Sequence, residues 1–128
     1  RAWVSRLALA SCVQAMSLAA ASAAVGHGEL TGSQIHSTIV GKYVTDDHHW
    51  GHKYCPDGRV ERLENERLKS AHWSIKNDRL CLLQPEISKV EPICYRVVRD
   101  GKELQYVDDS NYLVFRGLVR SMPKPMGR

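Results

Sequence analysis

The sequence predicts a mainly β fold: an antiparallel meander that forms a small, partly closed calycin-like barrel or a curved sheet, with one helix ahead of it. Three observations point there. After Gly41 the apolar residues alternate with polar ones instead of recurring at helical spacing. Tight-turn signals punctuate that alternation at Pro56-Asp57-Gly58, Asn77-Asp78 and Asp100-Gly101. A chain of 128 residues holds one core, and a meander this size must close or wrap to hide its apolar face and its edges.

The first quarter differs from the rest. Arg1 and Arg6 precede the uncharged run "LALASCVQAMSLAAASAA". A basic start, an apolar middle and small residues at the end make a secretory signal peptide, expected over residues 1–24 with a cut after Ala23 or Ala24. The run from Leu7 to Gly26 is long enough to span a bilayer, but its Ala/Ser content is weakly hydrophobic, so no permanent span is expected after cleavage. "LASC" ending at Cys12 has the look of a lipobox; the short apolar stretch before it favours ordinary cleavage over lipidation. Arg1 and Arg6 are two of the 18 basic residues and none of the 14 acidic ones lies in this segment, which leaves 16 against 14, a net +2. Alternating charges such as "RVERLENERLK" read as solvated surface, with no basic motif for nucleic acid.

A single domain is expected over residues 25–120, with a flexible tail over 121–128. "LTGSQIHSTIVG" predicts a helix over about residues 31–40. Thr31 and Gln34 form a capping box, Leu30 and Ile35 a hydrophobic staple, Ile35 and Ile39 one apolar face, and Gly41 a left-handed end. "KYVT" begins the meander. "HWGHKYC" puts Trp50, His52 and Tyr54 on one face, and "CPDG" is a type I turn. "RVERLENERL" is read as a polar edge strand and loop. "AHWSI", the "KNDR" hairpin, "LCLL", the loop "QPEISKVEP", "ICYRVV", "RDGK", "ELQYV", "DDSN" and "YLVFRGLV" complete seven or eight strands.

Cys81 and Cys94 fall in neighbouring strands, where antiparallel pairing brings them within bridging distance. Their spacing is not the C-x-x-C of a redox pair, so the bridge is structural. With Cys12 lost in the leader, Cys55 is expected to be free, to pair between chains, or to act as a soft metal ligand.

The stretch "DDHHWGH", residues 46–52, raises a Zn or Cu site at His48, His49 and His52, with Asp46 or Cys55 in support. On a strand, His48 and His52 stand roughly 13 Å apart at ~3.3 Å per residue, too far for one ion. The simpler reading is a polar hairpin loop, with Trp50 opening the buried part of the next strand. The sequence has no nucleophile elbow, glycine-rich phosphate loop or H-E-x-x-H, so no enzyme is expected.

The order "LTGSQIHSTIVGK", "YCPDGRV", "HWSIKNDRLC", "ICYRVVRDG" resembles small exported proteobacterial proteins grouped as a domain-of-unknown-function family. The resemblance runs from about Leu30 to Arg120. It implies a periplasmic or secreted location and supports the Cys81–Cys94 bridge, without implying an activity. The histidine cluster and Cys55 are not part of that pattern. The expectation is thus an exported, non-enzymatic binding protein. It would take a small apolar ligand at Trp50, Tyr54, Tyr106 and Phe115, or an envelope protein as partner; the alternative is periplasmic metal binding through the histidine cluster. Trp73 and Tyr95 are expected to be core.

Overall fold

A computed structural model describes Cys12 and residues 27–123. Of the expected leader, only Cys12 lies among the described residues, and the end of the expected tail, 124–128, lies outside them. The chain runs β1 (His27–Glu29), α1 (Gly32–Ile39), β2 (Lys42–Thr45), β3 (Trp50–Tyr54), β4 (Arg59–Glu64), β5 (Arg67–Lys76), β6 (Arg79–Leu83), β7 (Ile93–Asp100), β8 (Glu103–Val107) and β9 (Leu113–Ser121).

Strands β2 to β9 form an eight-stranded antiparallel barrel. Consecutive strands pair from β2 through β9, and β2 pairs with β9 to close the ring. Closure is complete, beyond the partial closure expected, and it removes the lateral edges that an open sheet would leave. The short β1, which the sequence reading had not resolved as a strand, adds to β7 at Val98–Asp100, past the Ile93–Tyr95 stretch that pairs with β6.

Local chemistry fixes the joints. Thr31 caps α1: its Oγ1 accepts from the Gln34 N–H at 3.2 Å, and Gln34 Oε1 accepts from the Thr31 N–H at 2.8 Å. Two hairpins turn on pairs of residues with positive φ, Asn77-Asp78 as expected and Asn65-Glu66. The second pair overturns the reading of "RVERLENERL". The segment is not an edge strand and loop; it is β4, a tight turn and the start of β5, with β4 held between β3 and β5. At "RDGK" the loop is Gly101-Lys102, since Asp100 still pairs with Glu103.

The antiparallel register gives the barrel two unlike ends. Helix α1 packs on β2, β5 and β6 and buries Ile35 and Ile39 with Val44, Val60, Ala71, Leu80 and Val97. The Gly41 N–H donates to the Tyr54 carbonyl at 2.7 Å and the Gly32 N–H to Asp78 Oδ1 at 2.7 Å, which ties one end of α1 to β3 and the other to the β5–β6 turn. The starts of β3 and β7 and the ends of β4 and β6 meet at the opposite end. On the outer wall, Gly51 admits the Tyr43 ring, whose Cε1 lies 2.6 Å from where a Cβ would stand.

Cys81 and Cys94 are register partners on β6 and β7 and are disulfide-bonded. A second bond joins Cys12 to Cys55, which corrects the expectation that Cys55 has no partner within the chain. Cys55 is fully buried just past β3, and its carbonyl accepts from Trp73 Nε1 at 2.8 Å.

Two outcomes follow from the cysteine connectivity. Replacing both Cys81 and Cys94 by alanine should lower the unfolding free energy by about 3 kcal/mol in a urea titration, from the lost cross-link over 13 positions. In the full chain denatured without reductant, no cysteine should take up a maleimide; a chain cut after Ala23 or Ala24 and separated from Cys12 should label once, at Cys55.

Candidate functional site

Strands β3 and β4 deliver the polar residues at the end opposite α1. Alternation along β3 points Trp50, His52 and Tyr54 inward, and the register sets His52 beside Arg62 and Trp50 beside Glu64. His52 and Arg62 are each 1 % exposed. A buried charge is costly unless neighbours satisfy it, and four groups do so for the Arg62 guanidinium. Nη1 donates to Gln84 Oε1 at 2.9 Å and approaches Glu64 Oε1 at 3.5 Å; Nη2 donates to the Ser70 carbonyl at 2.8 Å and to Glu86 Oε1 at 2.7 Å. Glu64 Oε2 meets His52 Nε2 at 2.8 Å, and Lys69 Nζ stands 3.5 Å from Glu64 Oε1.

Protonation follows from these contacts. The His52 hydrogen bond, with the positive charges of Arg62 and Lys69 and against desolvation, brings the Glu64 carboxyl down to about 2. Burial lowers His52, outweighing the opposing pull of Glu64. His52 is therefore neutral, donates its Nε2 proton to ionised Glu64, and leaves Nδ1 as an acceptor. That Nδ1 and Arg62 Nε are buried and have no hydrogen-bond partner among the described residues.

Aromatic rings line the same end. Trp50 lies 4.8 Å from His52 and 5.0 Å from Phe115 between ring centroids, and Phe115 lies 5.3 Å from His52, 5.9 Å from Tyr106 and 6.2 Å from Tyr95. The four residues expected to bind a ligand thus share the interior, at different depths. Tyr54 and Tyr106 are fully buried with their hydroxyls 2.9 Å apart, a core contact whose burial raises both phenols. Trp50 and Phe115 are half-buried at the polar end. Tyr95 is buried core and Trp73 packs against the core cluster.

The histidine cluster is divided. Asp46 Oδ1 accepts from the backbone N–H groups of His48, His49 and Trp50 at 2.8, 2.7 and 3.0 Å. Against desolvation, these bonds and His49 Nδ1 hold its carboxyl well below the usual carboxylate range. Asp47, at φ +68, pairs with Arg120. The stretch is a self-capped β2–β3 loop that leaves His48 and His49 exposed, while His52 faces the barrel interior. His48, His49 and His52 do not converge, Cys55 is spent in a disulfide, and among the described residues no three His, Cys, Asp or Glu side chains are grouped to hold a metal ion.

Arg62, Glu64, Gln84 and Glu86 were not singled out by sequence reasoning. The available signal was period-two alternation: once "RVERLE" is a strand, Arg62 shares the inward face of Val60. Comparison of the chain with family models, with curated proteins and with solved structures finds no match.

A pH series tests the buried cluster. Between pH 6.5 and about 2 the unfolded chain binds more protons than the folded one, because folded His52 titrates below 6.5 and folded Glu64 below 4.5. Stability should fall as pH drops, first as the unfolded chain's histidine protonates near 6.5 and then from 4.5 towards 2. Urea midpoints measured across this range should show both losses, and Glu64→Gln should make the acidic one smaller, with Asp46 and the other ion-paired carboxylates supplying what remains.

Proposed function

We propose that this protein is an exported, non-enzymatic barrel that binds a small molecule at the end opposite α1, with Trp50 and Phe115 against its apolar body. One observation carries the reading. Two cross-strand neighbours, His52 and Arg62, are sealed from solvent, yet each leaves one polar atom without a partner among the described residues, beside two half-buried aromatic rings. An unmet buried donor or acceptor costs about 1–3 kcal/mol, and pockets that bind small molecules combine apolar walls with a few such groups. A leader-like first segment and two disulfides support export to the periplasm or the exterior, where oxidised cysteines persist. Among the described residues no helix is long and apolar enough to cross a membrane.

A protein partner on the outer wall is a second reading, favoured by Leu63 and Leu68. These cross-strand partners on β4 and β5 are 40 % and 80 % exposed.

Titration of 15N-labelled protein with octan-1-ol and octanoate tests the first reading. At least one probe should shift the Trp50 indole N–H, and Trp50→Leu should weaken binding about tenfold while the amide spectrum stays dispersed. Leu68→Ser should leave that binding unchanged. Failure of both probes to move the Trp50 signal removes the proposed site.

A further inference from the structure

Arg62 carries five N–H donors and has no acceptor. Its two Nη atoms serve Gln84, Glu64, Ser70 and Glu86, and only Nε is left over. Adjacent Nε and Nη2 donors form the fork on which a carboxylate takes two parallel bonds, the strongest arrangement available to this pair of groups. Glu86 meets Nη2 through Oε1.

The four charged groups of the site differ in how firmly they are held. Glu64 is enclosed by His52, Arg62 and Lys69. Glu86 comes from the Gln84–Pro92 loop between β6 and β7, and its side chain is 42 % exposed. Arg62 and Lys69 balance Glu64 and Glu86; once Glu86 turns out to solvent, the site holds one uncompensated positive charge beside His52, whose ring lies against Trp50 and Phe115.

We infer that the ligand bound at this end carries a carboxylate, which replaces Glu86 on Arg62 and takes Nε as its second donor. The inference rests on the proposed binding site and specifies its ligand class as an amphiphile with one carboxylate and an apolar body. Glu86 is then a built-in competitor that keeps the guanidinium paired in the free protein and yields it to a better-shaped anion.

Octanoate and octan-1-ol share a body and differ in the head group, so the same probes separate the two ideas. Octanoate should bind wild-type protein about tenfold more tightly than octan-1-ol and shift the Arg62 Nε–H resonance downfield. Glu86→Ala, at an exposed loop position, should raise the ratio of octanoate to octan-1-ol affinity about fivefold. Equal affinity for the two probes, no movement of the Nε–H signal, or a ratio that Glu86→Ala leaves alone or lowers would overturn the carboxylate assignment while the binding site stands. If neither probe binds, the site itself falls and the assignment with it.

Discussion

The Arg62 guanidinium is the interaction on which one end of the barrel depends. Strand β5 is ten residues long, but β6 pairs only with its His72–Lys76 portion. Arg67–Ala71 is therefore flanked by β4 on one side only, and the Ser70 carbonyl there takes its hydrogen bond from a side chain. Arg62 reaches across from β4 and bonds the Ser70 carbonyl, the Gln84 amide just past β6, and Glu86 in the following loop. One side chain thus ties two strands, a strand end and a loop. Breaking such a buried, paired charge costs about 3–5 kcal/mol, because its partners are left uncompensated.

Around that clamp the barrel divides into two chemistries. Near α1 the interior is aliphatic and tyrosine-rich and filled by packed side chains. Near Arg62 it is ionic and aromatic, with His52 bridging them: one ring nitrogen bonds Glu64, and the ring lies tilted against Trp50 and edge-to-face with Phe115. Small barrels fill their interiors with side chains, so a ligand of the proposed kind would have to sit at a mouth. Here the mouth lacking the helix is also the one with unmet polar atoms.

Much of the fold was legible because its signals are local. The capping box at Thr31 and Gln34, the positive φ tolerated by Asn77 and Asp78, and the alternation in "HWGHKYC" each act within a few residues, and each is present as read. Three features depend on distant partners and were not legible. Strand β1 is three residues long and defined by its pairing with β7. Strand β4 looked peripheral because its charges suggest solvent, whereas Arg62 is buried by Gln84 and Glu86 from more than twenty positions away. Cys55 looked unpaired because its partner lies in a segment that reads as a removable leader. For the candidate site, Trp50, Phe115 and His52 could be placed from alternation, but the ionic half required the contacts between β4 and the β6–β7 loop.

The bond between Cys12 and Cys55 makes a covalent ring of the chain between them, enclosing β1, α1, β2 and β3. Within a ring, hydrolysing one peptide bond yields an opened loop whose fragments remain attached. A peptidase acting at the Ala23–Ala24 region would therefore produce two termini on one molecule, and shedding the first segment would demand thiol–disulfide exchange as well. Were the first segment to be cut, the order of the two events would matter: closure of the Cys12–Cys55 bond before the cut leaves the segment attached, and a cut before closure leaves Cys55 without its partner.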